Sequence, residues 1–118
     1  MKNYTKTHEW LEELEDGTIV IGLSDFAQSE LGDIVFINLP EVGTAITVDA
    51  AFADVESVKA VSEIYAPVSG VISEVNADLL DNPGKVNEDA VNTWLVKVKE
   101  VTATTELLTY EQYLAIVS

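Results

Sequence analysis

Short runs of β-branched and apolar residues recur along the chain, and glycine, proline or asparagine interrupts them roughly every eight to twelve residues. This spacing predicts many short strands. Because no helical pattern is long enough to cross over between parallel strands, it favours a mostly β fold, either a β-sandwich or a flattened barrel. The predicted extended segments are residues 4–14, 18–23, 33–39 and 45–48, two strands within 51–70, and residues 70–75, 86–89 and 94–99.

A first helix is predicted after the second extended segment. Ser24 or Asp25 can cap it, and Gln28 stands three residues after Asp25, as a capping box requires. Gly32 supplies the stop signal, so this helix is short.

Two further helical segments are predicted in the second half of the chain. A short piece that begins at Asn76 or Asp78 and runs through Leu80 ends at the Asp-Asn-Pro-Gly cluster of residues 81–84. Thr109 and Gln112 have the spacing of another capping box, which predicts a C-terminal helix over about residues 109–117.

One lysine stands alone within this β-rich pattern. Lys59 lies in the middle of residues 51–70, and no other basic residue occurs between Lys6 and Lys85. If the two halves of this segment meet at a two-residue turn, Val58 and Lys59 form the tip of a hairpin.

The register of that hairpin decides which side chains surround the lysine. It places Asp54 opposite Glu63 and Glu56 opposite Val61, so that carboxylates ring Lys59. No Asn-Gly, Asp-Gly or Gly-X pair marks the turn, so the register rests on the β-branched residues of both halves and on a break at residues 67–70. The residues of the other face, predicted to pack inward, are Ala53, Val55, Ala60, Ser62 and Ile64.

Composition narrows the functional classes. The 118 residues fit one domain, and 47% apolar residues are enough for a modest core. Six lysines and 21 acidic residues give a net charge of −15, which argues against binding to nucleic acid or an anionic membrane. The charge either steers the protein towards basic partner surfaces or keeps it soluble.

Few residues are suited to catalysis or metal binding. The chain has no cysteine and a single histidine, His8, so thiolate sites and imidazole clusters are excluded, and we expect no catalytic residue and no metal. We expect His8 to serve in packing and Trp10 and Trp94 to lie in the core. Without an apolar leader or a long apolar run, a soluble cytoplasmic protein is expected, or a mitochondrial one if a presequence was removed.

Four collinear stretches spread over nearly the whole chain resemble the glycine cleavage system H protein, a lipoyl carrier protein family. They are residues 8–10 (HEW), residues 21–28 with 31–36 (IGLSDFAQ and LGDIVF), residues 56–70 (ESVKAVSEIYAPVSG) and residues 94–99 (WLVKVK). The resemblance implies a barrel-sandwich hybrid of the lipoyl/biotinyl-domain type, with short helices. Residues 1–118 would be a single lipoyl-carrier domain with its core at about 15–100.

The resemblance also implies a cofactor, lipoate, joined to Lys59 through an amide. Biotinyl domains share the fold, but methionine usually stands on both sides of their lysine, whereas this chain has Val58 and Ala60. The protein would be a carrier and not an enzyme, because the cofactor supplies the chemistry.

Partners and an arm-binding cleft follow from the same resemblance. The partners would be glycine decarboxylase, aminomethyltransferase and dihydrolipoyl dehydrogenase, together with a lipoate ligase or lipoyl transferase. By motif, Glu9, Glu63 and Thr7 match the cleft that holds the loaded arm. Asp54 and Glu56 either guide the lipoylating enzyme or prevent unwanted edge pairing of the hairpin.

The chain departs from the family pattern at one loop, and two other functions are compatible with its sequence. Family members commonly have a Pro-Tyr-Gly-x-Gly type segment before the tryptophan, whereas residues 90–93 (AVNT) precede Trp94 here, which predicts a stiffer loop. The chain could instead be a lipoyl relay that donates lipoate to other complexes or serves a different redox system. It could also be a structural interaction domain that has lost the arm.

Overall fold

Two antiparallel sheets and four short helices make up residues 2–117, the part of the chain that the computed structural model describes. The strands are β1 (Lys2–Tyr4), β2 (Glu9–Glu13), β3 (Ile19–Leu23), β4 (Ile34–Asn38), β5 (Ala45–Ile46), β6 (Ala51–Ser57), β7 (Val61–Tyr65), β8 (Val68–Val75) and β9 (Trp94–Thr104). The helices are α1 (Asp25–Leu31), α2 (Asp78–Asp81), α3 (Lys85–Glu88) and α4 (Tyr110–Val117).

One sheet has six strands in the order β1-β2-β3-β9-β8-β5, and the other has three in the order β4-β6-β7. Every pairing is antiparallel. The prediction of a mostly β fold with short helices and a C-terminal helix is therefore confirmed. Within residues 2–117, none of the helices has the length and apolar character needed to cross a membrane.

The main core lies between the two sheets. Ile21 and Ile72 come from the larger sheet and Ile37 and Ile64 from the smaller one, and all four are at most 1% exposed. Burial of such apolar side chains is the main force that holds the two sheets face to face.

A second, smaller core joins the edge of the larger sheet to α4. Its buried members are Tyr4, Trp10, Val20, Leu108 and Tyr113. The expectation that Trp10 lies in the core is confirmed. Trp94 is only half-buried at the margin of this cluster, where the Lys97 ammonium lies 4.8 Å from its ring centroid.

Ser24, one of the two predicted caps, begins α1, and the capping box predicted at α4 is present. The capping box predicted between Asp25 and Gln28 is wrong, because Gln28 Nε2 donates to the Asp25 side chain (3.0 Å) and not to its backbone. Ser24 is the N-cap of α1, since its Oγ accepts a hydrogen bond of 3.1 Å from the Ala27 N–H, and Gly32, with φ of 76°, ends the helix. At α4, the Thr109 N–H donates to Gln112 Oε1 (2.9 Å), and the Gln112 N–H donates to Thr109 Oγ1 (3.1 Å).

The prediction of an extended stretch at residues 86–89 is wrong, because α3 occupies that segment. Tertiary contacts override the local β-branched signal there. Val86 is fully buried, and the Asn87 side chain accepts from the Ile34 N–H (2.9 Å) and donates to the Gly32 carbonyl (2.8 Å). These bonds fix the one-turn helix against the end of α1.

Several strand boundaries also differ from prediction. Strand β8 begins at Val68 and β9 continues to Thr104, because the two strands pair from Val68 opposite Thr104 to Val75 opposite Val96. Strand β5 is only two residues long. The predicted segment 4–14 is divided by a turn between β1 and β2, where His8 has a φ of 75°.

Hydrogen bonds hold both ends of the segment at residues 90–93. Ala90 is 2% exposed and its carbonyl accepts from the Trp10 Nε1–H at 3.0 Å. Thr93 Oγ1 donates to the Asp89 carbonyl at 2.7 Å. The stiffness of this loop stays a prediction, and these bonds are consistent with it.

Candidate functional site

The lysine hairpin has the predicted register. Asp54 pairs with Glu63 and Glu56 pairs with Val61. Val55 and Ile64, each 1% exposed, point into the main core, while the three carboxylates lie on the exposed side. The hairpin is therefore anchored by one face and displays its tip.

Ser57 closes the turn that lacks a glycine signal. Its N–H donates to the Ala60 carbonyl (2.8 Å), and its hydroxyl oxygen accepts from the Lys59 and Ala60 N–H groups, both at 3.2 Å. The Val58 N–H donates to the Asp33 carbonyl (3.0 Å), which joins the tip to the chain before β4. A serine side chain thus replaces the usual Asn-Gly turn chemistry.

Lys59 is exposed and lies along the C-terminal end of α1. Its Nζ donates to the Glu30 carbonyl at 3.3 Å, one of the carbonyls that a helix end leaves without an internal partner. A Cβ on Gly32 would lie 3.2 Å from Lys59 Cε, so the bare glycine makes room for the lysine stem.

The expected ring of carboxylates around Lys59 is wrong. Within residues 2–117 no carboxylate lies within ion-pair distance of Nζ. Asp54 and Glu56 stand on the outer face of the hairpin and the lysine turns towards α1 instead, because the helix carbonyl offers it an acceptor.

A cleft of about 310 Å³ opens beside the lysine, between α1, the start of β2 and the hairpin. Its walls are mostly apolar. Glu30 contributes to the cleft and also supplies the carbonyl that Lys59 contacts, so the lysine stands at the rim. The lining residues are Thr7, His8, Glu9, Leu23, Phe26, Ala27, Glu30, Leu31, Val55, Ser62, Glu63 and Ile64.

Glu9 is a lining residue of this cleft and is only 1% exposed. The Thr5 and Thr7 hydroxyls donate to its Oε1 at 2.7 and 2.6 Å. Burial raises the pKa of Glu9 to about 7, and the hydrogen bonds from Thr7, Thr5 and the Tyr65 backbone oppose that rise. The carboxyl therefore changes its charge near neutral pH.

The raised pKa of Glu9 makes a prediction about stability. The folded protein holds the Glu9 proton up to about pH 7, whereas an unfolded chain loses it near 4.5. The contribution of Glu9 to the free energy of unfolding is therefore complete below pH 4.5. It is lost as the pH rises through 7, and the loss amounts to up to about 3 kcal/mol. Denaturant unfolding should show wild type losing stability relative to Glu9→Gln between pH 4.5 and 8. A difference that does not change with pH would contradict the assignment.

The structure brings three of the sequence-predicted residues together and leaves two apart. Thr7, Glu9 and Glu63 all line the cleft, with Glu63 exposed at its mouth. Asp54 and Glu56 lie on the outer face of the hairpin, away from the cleft lining.

Sequence reasoning missed part of the cleft. Phe26 and Glu30 enter through α1, and their i, i+4 spacing on one helix face was the available signal. His8, expected only to pack, is half-buried and lines the cleft. Within residues 2–117 no group of three or more His, Asp or Glu side chains is arranged to hold a metal ion.

A family model described as glycine cleavage H-protein matches residues 2–118. The chain belongs to the glycine cleavage H-protein family. This family provides the lipoyl carrier of the glycine cleavage system. The resemblance seen in the four sequence motifs is thereby confirmed.

Individual relatives agree with the family assignment. The chain is 53% identical to the glycine cleavage system H protein of Geobacillus thermodenitrificans, over 98% of this chain and 92% of the relative. It is 54% identical to the probable glycine cleavage system H protein of Pyrococcus furiosus, over 81% and 72%. Relatives with this name therefore occur in both a bacterium and an archaeon.

A solved structure is similar over almost the whole fold. The glycine cleavage system H protein of Mycobacterium marinum has 38% identity and a TM-score of 0.90, over 97% of this chain and 94% of that one. The two sheets and the exposed hairpin accordingly form the barrel-sandwich hybrid of H proteins, which confirms the predicted fold class.

Proposed function

We propose that Lys59 is the lipoyl attachment point and that the chain carries the aminomethyl group of glycine from glycine decarboxylase to aminomethyltransferase, with dihydrolipoyl dehydrogenase reoxidising the carrier. One observation supports this most directly. The exposed Lys59 Nζ contacts the Glu30 carbonyl, and Glu30 lines a cleft that contains the buried Glu9. An arm attached at Lys59 therefore starts at the rim of a cavity that holds an acidic group.

The residues of the cleft fit a lipoyl arm. Leu23, Phe26 and Val55 offer apolar walls to a hydrocarbon chain, and Glu9 with Thr7 offers polar groups beyond them. When bound, the lipoyl group supplies two things: a dithiolane sulfur that accepts the one-carbon cargo, and a redox couple. Amide formation at Lys59 removes the positive charge, so the hydrogen bond to the Glu30 carbonyl becomes weaker and the stem turns more easily.

Glu9 provides the charge that holds the cargo. A cationic amine favours the ionised form of a nearby carboxyl, so its arrival lowers the pKa of Glu9 from about 7 and a proton leaves. The resulting ion pair is stronger in a cleft that excludes water than in bulk solvent. The Thr5 and Thr7 hydroxyls keep the accepting oxygen in place.

Replacement of Glu9 by glutamine tests this role. We expect Glu9→Gln to accept lipoate at an unchanged rate and to lose ammonia from the loaded carrier about tenfold faster, since one charged hydrogen bond is lost. The rate of ammonia release is measured after glycine decarboxylase has loaded the carrier. Glu12→Gln, on the same strand but outside the cleft lining, is the matched control. A lifetime equal to that of wild type would argue against the cleft.

We also propose that Asp54 and Glu56 are recognised by the lipoyl ligase or transferase. Glu56 lies between Phe36 and Val61 in one row across the small sheet, and all three are exposed. The enzyme that acylates Lys59 must reach the tip of the hairpin, and this exposed row lies on the strands that lead to that tip. A basic surface with an apolar centre would complement it.

We propose that residues 1–118 act as one lipoyl-carrier domain with no catalytic residue of its own. Its place of action would be the cytoplasm, as befits relatives from bacteria and archaea.

Reconstitution separates the glycine-cleavage role from a lipoyl relay. Lipoylated protein incubated with glycine decarboxylase and labelled glycine should acquire the label, and aminomethyltransferase with tetrahydrofolate should remove it. A relay-only protein would donate lipoate to acceptor domains but would take up no label. Absence of label on a fully lipoylated protein would therefore overturn the proposed function.

A further inference from the structure

A buried polar network links the C-terminal helix to the cleft. The Tyr113 hydroxyl of α4 lies 2.8 Å from His8 Nδ1 and 2.7 Å from Ser24 Oγ. Tyr113 is 2% exposed, and its ring stacks on Tyr4 with 4.9 Å between centroids. One hydroxyl thus connects α4, the loop before β2 and the cap of α1.

Both partners of Tyr113 determine the shape of the cleft. Ser24 caps α1 through the Ala27 N–H and so determines where the helix begins. That helix carries Phe26 and Glu30 into the cleft wall. Ser24 is also joined to His8 directly, because its N–H donates to the His8 carbonyl at 2.9 Å.

His8 is held in an unfavourable backbone conformation. Its φ of 75° lies in the left-handed region, which a residue with a Cβ adopts only when its surroundings compensate. The ring is 5.0 Å from the Phe26 ring, and Nδ1 is occupied by Tyr113. These contacts hold the imidazole in the lining of the cleft, one residue before Glu9.

We propose that Tyr113 is a positioning residue of the arm cleft, whose hydroxyl holds His8 and the start of α1 in the arrangement that encloses the cargo's ammonium beside Glu9. This inference rests on the proposed function. Without the hydroxyl, His8 Nδ1 and Ser24 Oγ each lose a partner and turn to water. Water then enters next to Glu9, and the ion pair that retains the cargo weakens.

The charge state of His8 supports this arrangement. Burial lowers the pKa of His8, and the Glu30 carboxylate opposes that shift. Carboxyl groups face the cleft from β2 (Glu9), α1 (Glu30) and β7 (Glu63), and the lining contains no lysine. With His8 neutral at pH 7, the ammonium meets no competing cation.

The test is Tyr113→Phe, which removes only the hydroxyl and keeps the ring that stacks on Tyr4. We expect the loaded carrier to lose ammonia about threefold to tenfold faster than wild type, as the loss of one or two hydrogen bonds implies. Tyr110→Phe is the control, since Tyr110 is on the same helix and its ring is also near Tyr4, at 5.3 Å, but it lies outside the network. Both variants are compared in buffer without denaturant, at a pH at which their unfolding curves show that they are folded.

A second readout needs no cofactor. His8 is the only histidine of the chain, so its imidazole signals are assigned without ambiguity in nuclear magnetic resonance of the unmodified protein. In Tyr113→Phe the pKa of His8 should rise towards its ordinary value, because water reaches the ring, and the ratio of ring tautomers should change. Tyr110→Phe should leave both unchanged.

The outcomes separate this inference from the proposed function. If Glu9→Gln shortens the lifetime of the loaded carrier and Tyr113→Phe does not, the role of Tyr113 is overturned and the cleft stands. If Glu9→Gln has no effect, the cleft itself fails and this inference fails with it. An unchanged His8 titration in Tyr113→Phe would also overturn the positioning role.

Discussion

Lys59→Arg should abolish lipoylation completely. A guanidinium keeps the positive charge and the reach of lysine, but it stays protonated at any physiological pH and is no nucleophile for an activated acyl group. The hairpin itself should be unaffected, because its turn is held by Ser57 and its register by buried Val55 and Ile64. Intact mass after incubation with lipoate ligase, ATP and lipoate should show no adduct.

Two controls sharpen that experiment. Lys85→Arg changes another partly exposed lysine, paired with Asp78, and should leave the adduct in full. Glu56→Gln keeps Lys59 and should slow lipoylation without preventing it, by about threefold to tenfold if this carboxylate contacts the ligase. An adduct that persists in Lys59→Arg would show that the attachment point lies elsewhere.

The register of the lysine hairpin could be predicted because it depends on alternation. On β6 small or apolar residues alternate with Asp54 and Glu56, and β7 has Glu63 next to the buried Ile64. A one-residue slip would bury Asp54 and Glu63. The turn itself could not be predicted from glycine signals. Its geometry comes from the Ser57 hydroxyl, whose bonds with Lys59 and Ala60 form only once the strands meet.

The cleft could be predicted only in part. Glu9 and Glu63 could be predicted through motif resemblance. The Glu30 carbonyl that accepts from Lys59 is a backbone group, so the type of residue at that position does not reveal it. The bond between His8 and Tyr113 joins residues 105 positions apart, so no local pattern reveals it. The helix α3 was missed for the same reason, since Asn87 is held by contacts with α1.

Gly22→Ala should be the most destabilising of the substitutions considered. Gly22 lies opposite Trp10 in the β2–β3 pair, and the indole covers it. A Cβ there would lie 2.3 Å from Trp10 Cε2 and 2.6 Å from Nε1. Trp10 is 3% exposed and packed in the smaller core, and a shift of its ring would break its bond to the Ala90 carbonyl.

The overpacking and the lost hydrogen bond together should lower the free energy of unfolding by about 4 kcal/mol. Denaturant unfolding of unmodified protein measures this, with Gly84→Ala as the control. A Cβ on Gly84 meets no heavy atom within 4 Å, and φ there is −63°, so that variant should stay within about 0.5 kcal/mol of wild type. Equal stabilities for the two variants would mean that Trp10 does not pack on Gly22. Because Trp10 directly follows Glu9 in β2, the contact with Gly22 also fixes the strand that places the acid in the cleft.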